Sequence, residues 1–375
     1  MNKMIFIPFL LLMLSLIAYV FFRGFQVLSP QPQYVRLGYT LVFAVMMGSF
    51  FYRMFKGDTG NLDIAYITGI IGFTWFFAII YFALIALSVD ISRLIIKVFH
   101  IYPQYFKENL PLIKNVLAVS SLSLVVILFS IGNFNVFIAT VTKLNLKSDF
   151  SNSGKSLKIV MASDLHMSSY IGQKDVNRMV SLINKQNPDI VLFAGDLADR
   201  DFEPLKKLRL GEELMQIKSK YGVFAIPGNH EFYGGHKNDI ISYLSSYGVK
   251  FLSDSVTEVN GEIYIIGRDD KTNRHRASLD LDFAKANKNQ PKIFLDHQPY
   301  NLENSQDKVD LQLSGHTHKG QFWPATAIVK SMYELSYGYL KKGKTHYYVS
   351  SGLGIWGPKV RLGSQSELVL INFFY

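Results

Sequence analysis

Four long apolar runs in the first third of the chain limit what it can fold into. They span residues 4–22, 37–52, 64–89 and 116–138. A helix of roughly 20 apolar residues crosses the hydrocarbon core of a bilayer. We therefore expect about four transmembrane helices, in a membrane domain over residues 1–142. The membrane lipid bilayer is accordingly the first expected partner.

The first run also fits a secretory signal peptide, with Lys3 as its charged start. A membrane span is favoured, because the run is long for a signal peptide and no small-residue cleavage site follows it. Between the third and fourth runs, residues 91–114 alternate cationic and bulky apolar side chains and contain Pro103. This pattern predicts an interfacial amphipathic helix that is broken at the proline.

The cationic flanks of the four runs predict their orientation. With an even number of spans, the N-terminus and the C-terminal domain lie on the same side of the membrane. That side carries five flanking Lys and Arg residues, and the other side carries six. By this small margin, the positive-inside rule predicts that the C-terminal domain lies outside the cytoplasm.

Charged residues and histidines are distributed unevenly. Residues 1–142 contain 9 Lys and Arg and 4 Asp and Glu, against 30 and 25 in the remainder. The net charge of +10 divides evenly between the two parts, so no basic arm suggests a nucleic-acid partner, and none is expected. Eight of the nine histidines lie after residue 155, and the chain has no cysteine. A metal site must therefore use His, Asp, Glu or Asn, which excludes Cys-ligated zinc and thiol nucleophiles.

Residues 150–375 have the pattern of a catalytic α/β domain. Short β-branched runs alternate with polar, helix-like stretches, and no Gly-, Ser- or Pro-rich linker divides them. The helical stretches lie around residues 175–186 and 203–219. Strands are predicted at 156–163, 189–195, 221–228, 262–267, 291–296, 309–315, 347–354 and 367–375.

Residues of the types that bind metals follow five of these strands, at the edge where open α/β sheets place their sites. The five clusters are Asp164-Leu165-His166, Gly195-Asp196, Gly228-Asn229-His230-Glu231, Asp296-His297 and Gly315-His316-Thr317-His318. In extended backbone, residues two apart project to one side. Asp164 with His166, and His316 with His318, can therefore each direct two ligands into one cavity.

The sulfur-free donor set of these clusters suits Mn, Fe or Zn. Seven ligands exceed the need of one ion. Two divalent ions about 3.5–4 Å apart, with a shared carboxylate and a bridging hydroxide, would use them all and would clamp an in-line displacement at phosphorus. The clusters therefore predict a hydrolase that acts on a phosphomonoester, phosphodiester or pyrophosphate, with the hydroxide as nucleophile.

In this order, the five clusters resemble those of the calcineurin-like metallophosphoesterases, over about residues 156–375. The resemblance implies a four-layer α/β/β/α sandwich. It implies that one metal ion is bound by Asp164, His166 and His318. It implies that the other is bound by Asn229, His297 and His316, with Asp196 bridging both.

Three further residues have roles that are not those of ligands. The resemblance implies that His230 contacts the phosphate and protonates the leaving group. Glu231 is expected to orient His230 through a hydrogen bond, with a solvated turn carboxylate as the alternative. Arg361 is either a contact to the substrate phosphate or an ordinary loop cation.

The segments GVFAIPGNHEFYGG and SSGLGIWGPKVRLG are similar to a membrane-associated subgroup of this family. Some relatives of that subgroup hydrolyse the pyrophosphate of UDP-2,3-diacylglucosamine, which implies a lipid-linked substrate. Four spans differ from the single anchor or signal that is usual in the subgroup. The alternative function is a membrane sensor or scaffold whose metallophosphoesterase domain is regulatory or vestigial.

Overall fold

A computed structural model describes residues 3–101, 103–149, 153–279, 286 and 290–375, without the side chains of residues 3–7 and 9. The chain divides into two compact units. Unit 1 comprises Met1–Gly57 and Ile67–Ile131, and unit 2 comprises Asp58–Tyr66 and Gly132–Tyr375.

Unit 1 is helical over most of its described residues. Its elements are α1 (Lys3–Val27), α2 (Gln33–Lys56), α3 (Leu62–Val98), α4 (Gln104–Glu108) and α5 (Leu110–Phe137), of which α3 begins and α5 ends in unit 2. The helices α1, α2, α3 and α5 are long and apolar enough to cross a membrane. The expectation of four apolar helices is confirmed, and each helix is longer than the apolar run that predicted it.

Aromatic side chains pack α2 against α3. The rings of Phe50 and Phe76 are stacked, with centroids 4.2 Å apart. Gly72 permits this approach, because a Cβ there would overlap the backbone of Phe50. Within the same unit, Arg23 forms an ion pair with Asp90. The acid that follows the third apolar run therefore has a cationic partner.

Residues 91–114 do not form a helix of their own, although the helical structure is broken at Pro103, as we expected. Residues 91–98 continue α3, and residues 110–114 begin α5. The helix α4 lies between them, with Pro103 at its N-cap. The expectation of a separate helix was wrong because neither proline nor glycine stands between Asp90 and Val98, so nothing in the sequence ends α3 after its apolar run.

Unit 2 contains two six-stranded sheets. The first sheet consists of β1 (Thr140–Lys147), β2 (Ser156–Ala162), β3 (Ile190–Phe193), β4 (Val223–Ala225), β5 (Val249–Phe251) and β12 (Glu367–Phe374). The second consists of β6 (Ser255–Val259), β7 (Ile263–Gly267), β8 (Lys292–Leu295), β9 (Leu311–Ser314), β10 (Gly338–Lys342) and β11 (Thr345–Val349).

Both sheets are mixed but mainly parallel. The first has the order β1-β12-β2-β3-β4-β5 and is parallel except between β12 and β2. The second has the order β10-β11-β9-β8-β7-β6 and is antiparallel only at its two edge pairs. The strands that carry the predicted ligands, β2, β3, β4, β8 and β9, are all in parallel runs.

Alternating side chains build the core of unit 2. Ile159 of β2 and Ile265 of β7 belong to one buried cluster, which lies between the two sheets. Val160, next to Ile159, points the other way and belongs to a cluster with Val180 of a helix on the outer face of the first sheet. The outer face of the second sheet buries a smaller cluster around Phe294. This is the α/β/β/α sandwich that the sequence led us to expect.

The helices of unit 2 are short. They are α6 (Gln173–Asn184), α7 (Glu203–Lys207), α8 (Gly211–Leu214), α9 (Asn229–Tyr233), α10 (Lys237–Ser246) and α11 (Ala325–Met332). The helical stretch predicted around 203–219 is α7 followed by α8. Arg209 lies between them with a φ of 54°, which a right-handed helix does not accommodate. The strands β1, β5, β6 and β10 lie outside the segments that we predicted.

The loop between α2 and α3 is part of unit 2. The carboxylate of Asp58 accepts a hydrogen bond from the backbone N–H of Ser169 at 2.8 Å, and the N–H of Asp58 donates to Asp201 Oδ2 at 2.7 Å. Lys207 donates to the carbonyl of Gly60 at 3.0 Å. This loop is therefore built onto the loops that follow β2 and β3.

Candidate metal centre

The predicted ligands lie just beyond the ends of five strands. Asp164 follows β2 by two residues, Asp196 follows β3 by three, and His297 follows β8 by two. Asn229 begins α9 after β4, and His316 follows β9 by two residues. Because β2, β3 and β4 are parallel neighbours, as are β8 and β9, the carboxyl ends of these strands meet at one edge of each sheet.

Asp164, His166 and His318 form a first group. The Nε2 atoms of His166 and His318 are 3.1 Å apart, and Asp164 Oδ1 lies 3.4 Å from Nε2 of His318. All three side chains are buried, and their ligand atoms lie within 4.8 Å of one another. Two imidazole nitrogens that face each other beside a carboxylate are an arrangement that a shared cation stabilises.

Asp196, Asn229, His297 and His316 form a second group. His297 Nε2 lies 3.1 Å from Asp196 Oδ2 and 3.1 Å from Asn229 Oδ1, and His316 Nδ1 lies 2.7 Å from Asn229 Oδ1. The Nδ1–H of His297 donates to the carbonyl of Ala194 at 2.7 Å. This hydrogen bond leaves Nε2 as the nitrogen that faces the other ligands.

Asp196 lies between the two groups. Its Oδ2 is 3.1 Å from His297 Nε2 and 3.9 Å from His166 Nε2. Its Oδ1 accepts a hydrogen bond from the backbone N–H of His230 at 2.9 Å. The carboxylate is therefore fixed with Oδ2 toward both groups, which is the placement that a shared ligand needs.

The backbone of the ligand loops is held in an unusual conformation. Positive φ angles of 56°, 51°, 54°, 72° and 49° occur at Asp164, His166, Asp196, His316 and His318. Residues other than glycine seldom adopt this region unless their surroundings impose it. One such restraint is visible, because the N–H of His316 donates to both carboxylate oxygens of Asp164, at 3.0 and 3.2 Å.

Glycines beside the ligands provide space for the carboxylates. A Cβ at Gly228 would overlap the carboxylate of Asp196, and a Cβ at Gly315 would lie 2.5 Å from Asp164 Oδ2. Gly228 has a φ of −106°, which any residue can adopt. The requirement for glycine at this position is therefore steric rather than conformational.

His230 lies beside both groups, and its partner Asp199 was not selected from the sequence. His230 Nδ1 is 2.7 Å from Asp199 Oδ1, and the rings of His230 and His166 are 4.5 Å apart. By distance alone, His166, Asp199 and His230 are also close enough to hold an ion. The signal that could have identified Asp199 is its position three residues after Asp196, on the same ligand loop.

The pair of His230 and Asp199 is charged. Burial opposes protonation of His230, but the charge of Asp196 and the hydrogen bond to Asp199 raise its pKa to about 9. Burial would raise the pKa of the Asp199 carboxyl, but the nearby imidazole of His166, 3.7 Å away, and the hydrogen bond with His230 hold it below its usual range. His230 therefore carries a proton at neutral pH, as a general acid must.

Glu231 has a different role from the one we expected. Its side chain is fully buried. Oε1 accepts a hydrogen bond from the N–H of Ala198 at 2.9 Å, and Oε2 accepts one from the N–H of Gly228 at 2.7 Å. Glu231 thus joins the loop after β3 to the loop after β4. Asp199, not Glu231, is placed to orient the ring of His230.

Arg361 is neither a phosphate contact nor an exposed loop cation. Its side chain is fully buried, and Nη2 donates to the carbonyls of Ser351, Gly352 and Gly354 at 2.8, 3.1 and 2.7 Å. The N–H of Gly354 donates in turn to the carbonyl of Asp164. Arg361 therefore supports the loop that packs against the backbone of a predicted ligand.

The protonation states in the centre suit a divalent cation. Burial lowers the pKa of His318 well below its usual value and lowers that of His316 to about 4. Both imidazoles are therefore neutral at pH 7, which is the form that binds metal ions. Burial would raise the pKa of Asp196, but the charge of His297 holds it well below its usual range. Burial opposes protonation of His297, but the charge of Asp196 raises its pKa well above the usual value, so a bound ion would have to displace this proton. An ionised carboxylate and the neutral imidazoles of His316 and His318 fit Mn, Fe or Zn.

Residues 157–320 match the calcineurin-like phosphoesterase family. Unit 2 therefore contains a calcineurin-like metallophosphoesterase domain, as the order of the five clusters indicated. In it, two groups of candidate metal ligands lie at the strand ends of an α/β/β/α sandwich.

Relatives from bacteria and animals share this domain. The chain is 36% identical over 225 residues to an "Uncharacterized metallophosphoesterase" of Helicobacter pylori. The matched region covers 58% of this chain and 60% of that protein. It is 31% identical over 231 residues to a "Transmembrane protein with metallophosphoesterase domain" of Danio rerio, with coverages of 57% and 52%. It is 29% identical over 255 residues to an "Uncharacterized metallophosphoesterase" of Aquifex aeolicus, and the match covers 66% of this chain and 96% of that protein. The match thus spans less than two thirds of the length of the first two relatives.

Proposed function

We propose that this protein is a membrane-anchored hydrolase of phosphoric esters that works with two divalent metal ions. The observation that carries the proposal is the position of Asp196 Oδ2 between two groups of nitrogen and oxygen ligands. The first ion would be held by Asp164, His166 and His318. The second would be held by Asn229, His297 and His316, with Asp196 shared between the two.

The chemistry divides between the ions and the chain. When bound, two divalent ions supply a nucleophile near neutral pH and neutralise the charge that develops on the phosphoryl oxygens. The chain supplies the proton for the leaving group. As the bond between phosphorus and the leaving oxygen breaks, His230 donates its proton to that oxygen, and Asp199 stabilises the ring in its charged form before the transfer.

Hydrolysis of a chromogenic phosphodiester by the purified full-length protein tests the proposal. We expect turnover in the presence of Mn, loss of turnover after chelation, and recovery when Mn is returned. Elemental analysis should find close to two ions per chain. A sensor or scaffold with a vestigial domain would bind ions without turnover. Full turnover with one ion per chain would contradict the two-ion part alone.

We further propose that unit 2 lies outside the cytoplasm. The proposal rests on the six-to-five count of cationic flanks around four apolar helices. The membership of the α2–α3 loop in unit 2 agrees with four spans, since four crossings place that loop and the C-terminal domain on the same side. Protease added to intact cells should then cleave the chain after residue 143. Protection until the membrane is permeabilised would reverse the orientation.

The substrate class that we propose is a lipid-linked phosphate or pyrophosphate. A soluble substrate does not require its enzyme to be held at a bilayer, whereas four apolar helices hold this one there. The test compares the turnover of detergent-dispersed lipid phosphoesters with that of short-chain soluble analogues that carry the same headgroup. Equal turnover would contradict the lipid part of the proposal and leave the phosphoesterase activity standing.

A further inference from the structure

The helix α11 presents an apolar surface that the described residues of unit 2 leave largely exposed. None of its eight residues is buried. Ile328 and Met332, one helical turn apart, are each 58% exposed, and Trp323 just before the helix is 54% exposed. We call these three residues the α11 surface. Large apolar side chains grouped in this way mark an interaction site rather than ordinary surface.

The start of α11 is tied to the loop 359–363. The N–H of Trp323 donates to the carbonyl of Leu362 at 2.7 Å, and the N–H of Leu362 donates to the carbonyl of Gln321 at 2.9 Å. The backbone at Gln321 and Trp323 is therefore hydrogen-bonded to both the N–H and the carbonyl of Leu362.

The same loop is tied to the C-terminal end of α5. The N–H of Arg361 donates to the carbonyl of Gly132 at 2.9 Å. Asn133 Nδ2 donates to the carbonyl of Lys359 at 2.9 Å, and Asn135 Nδ2 donates to the carbonyl of Arg361 at 3.0 Å. One short loop thus connects the last turns of α5 with the beginning of α11, entirely within unit 2.

This connection indicates what covers the α11 surface. The helix α5 is long and apolar enough to cross a membrane, and near its end Phe134 is 63% exposed. An exposed apolar side chain at the end of a membrane-spanning helix is expected to face lipid. The loop 359–363 therefore places the beginning of α11 beside the end of a helix that is apolar enough to cross a membrane. The polar side chains of Asn133 and Asn135 turn toward this loop, as expected where a span leaves the hydrocarbon.

We propose that α11 lies in the membrane interface, with Trp323, Ile328 and Met332 inserted among the lipids. The composition of the segment fits such a helix. Tryptophan prefers the interfacial region, and Lys330, exposed in the last turn of α11, is placed to meet anionic headgroups. The proposal concerns how unit 2 meets the bilayer and holds whether or not the metal centre hydrolyses phosphoric esters.

The position of α11 gives this contact a consequence for the site. The next residue after the helix, Tyr333, has its ring 6.3 Å from the ring of His316, and its hydroxyl lies 3.0 Å from that of Tyr300. Thr317 Oγ1 donates to the carbonyl of Ser336 at 2.6 Å, which ties the ligand loop to the segment that follows α11. An interfacial α11 would therefore bring the candidate metal centre close to the level of lipid headgroups.

Because the chain has no cysteine, a spin label can be attached at a single introduced cysteine, which allows a direct test. Ile328→Cys, and separately Met332→Cys, would be spin-labelled in the full-length protein and reconstituted in vesicles of phosphatidylcholine and phosphatidylglycerol. The matched control is Met215→Cys, an apolar residue of unit 2 that is 63% exposed and lies outside the α11 surface. Collisions of each label would be measured with oxygen, which enters lipid, and with a nickel chelate, which stays in water and is present on both sides of the vesicles.

We expect the ratio of oxygen to nickel collisions at positions 328 and 332 to exceed the ratio at position 215 several-fold. Equal ratios at the three positions would overturn the proposal. Because all three side chains are exposed, the labels should leave folding unchanged, and a common thermal unfolding midpoint would verify this. The readout does not depend on turnover, so failure here is distinguishable from failure of the phosphoesterase proposal.

Discussion

His230 and Asp199 form a close pair beside the candidate metal centre, with 2.7 Å between Nδ1 and Oδ1. Their side chains are 19% and 16% exposed, whereas His166 and Asp196 are buried. The pair is therefore more accessible to a substrate than these buried ligands are. With Nδ1 engaged by a carboxylate, the other ring nitrogen of His230 is the one available to a leaving group.

Asp199→Asn should lower turnover by about 10- to 100-fold, the usual effect of removing a partner that orients a functional side chain. An amide cannot stabilise the charged imidazole as a carboxylate does, so the loss should shrink for substrates with acidic leaving groups. Metal content should not change. Turnover against leaving-group pKa, with elemental analysis, measures both. The control is Asp239→Asn, since Asp239 also pairs with a histidine, His236, but at an exposed position.

Asp196→Asn and His230→Asn should separate a ligand from an acid. The first replaces an anionic oxygen between two ligand groups and should lose metal, activity and some stability together, because metal binding to the native state adds to the free energy of unfolding. The second should retain close to two ions per chain while turnover falls by roughly 10² to 10⁴. Because His166, Asp199 and His230 are close enough to hold an ion, the result is not trivial. If His230→Asn loses metal as completely as Asp196→Asn, His230 is a ligand.

The fold class and the grouping of the ligands were predictable from the sequence for one physical reason. Each ligand follows a strand directly, and parallel strands carry their carboxyl ends to a common edge whatever the distance along the chain. Asp164 and His316 are far apart in sequence, yet the N–H of His316 donates to the carboxylate of Asp164. By contrast, Ile159 and Val160 are both apolar and both buried, so only the structure shows which of them faces the second sheet.

Other features were not predicted from the sequence. Asp199 stands in the run Asp199-Arg200-Asp201, which resembles a polar surface loop, and only the fold brings it to His230. Asp58 lies between two apolar runs, and nothing near it indicates that it packs in the α/β unit. The role of Glu231 was misjudged because its hydrogen bonds go to backbone groups, which sequence patterns do not reveal.

Gly228→Ala should damage the metal centre although its backbone angles suit alanine. The added Cβ would overlap the carboxylate of Asp196, so either this side chain or the loop must move. We expect a destabilisation of about 1–3 kcal/mol, as for overpacking of a filled interior, together with loss of metal. The control is Gly172→Ala, where a Cβ would meet nothing within 4 Å. Unfolding in the presence of a chelator isolates the packing effect, and elemental analysis reports the metal. Unchanged metal content in Gly228→Ala would contradict the assignment of Asp196 as a fixed ligand.

Asp58→Ala, a substitution in the loop between α2 and α3, should lower both the stability of unit 2 and the metal affinity of the candidate centre. Removing the Asp58 carboxylate leaves the backbone N–H of Ser169 without its acceptor, and an unsatisfied buried donor costs about 1–3 kcal/mol. Ser169 lies three residues beyond His166 on the same loop, so movement of this loop should also lower metal affinity. Asp63→Ala is the matched control, because Asp63 is exposed in the same segment. Thermal unfolding midpoints and metal titrations of the two variants in detergent should differ. Equal values would mean that the loop after β2 holds its conformation without the α2–α3 loop.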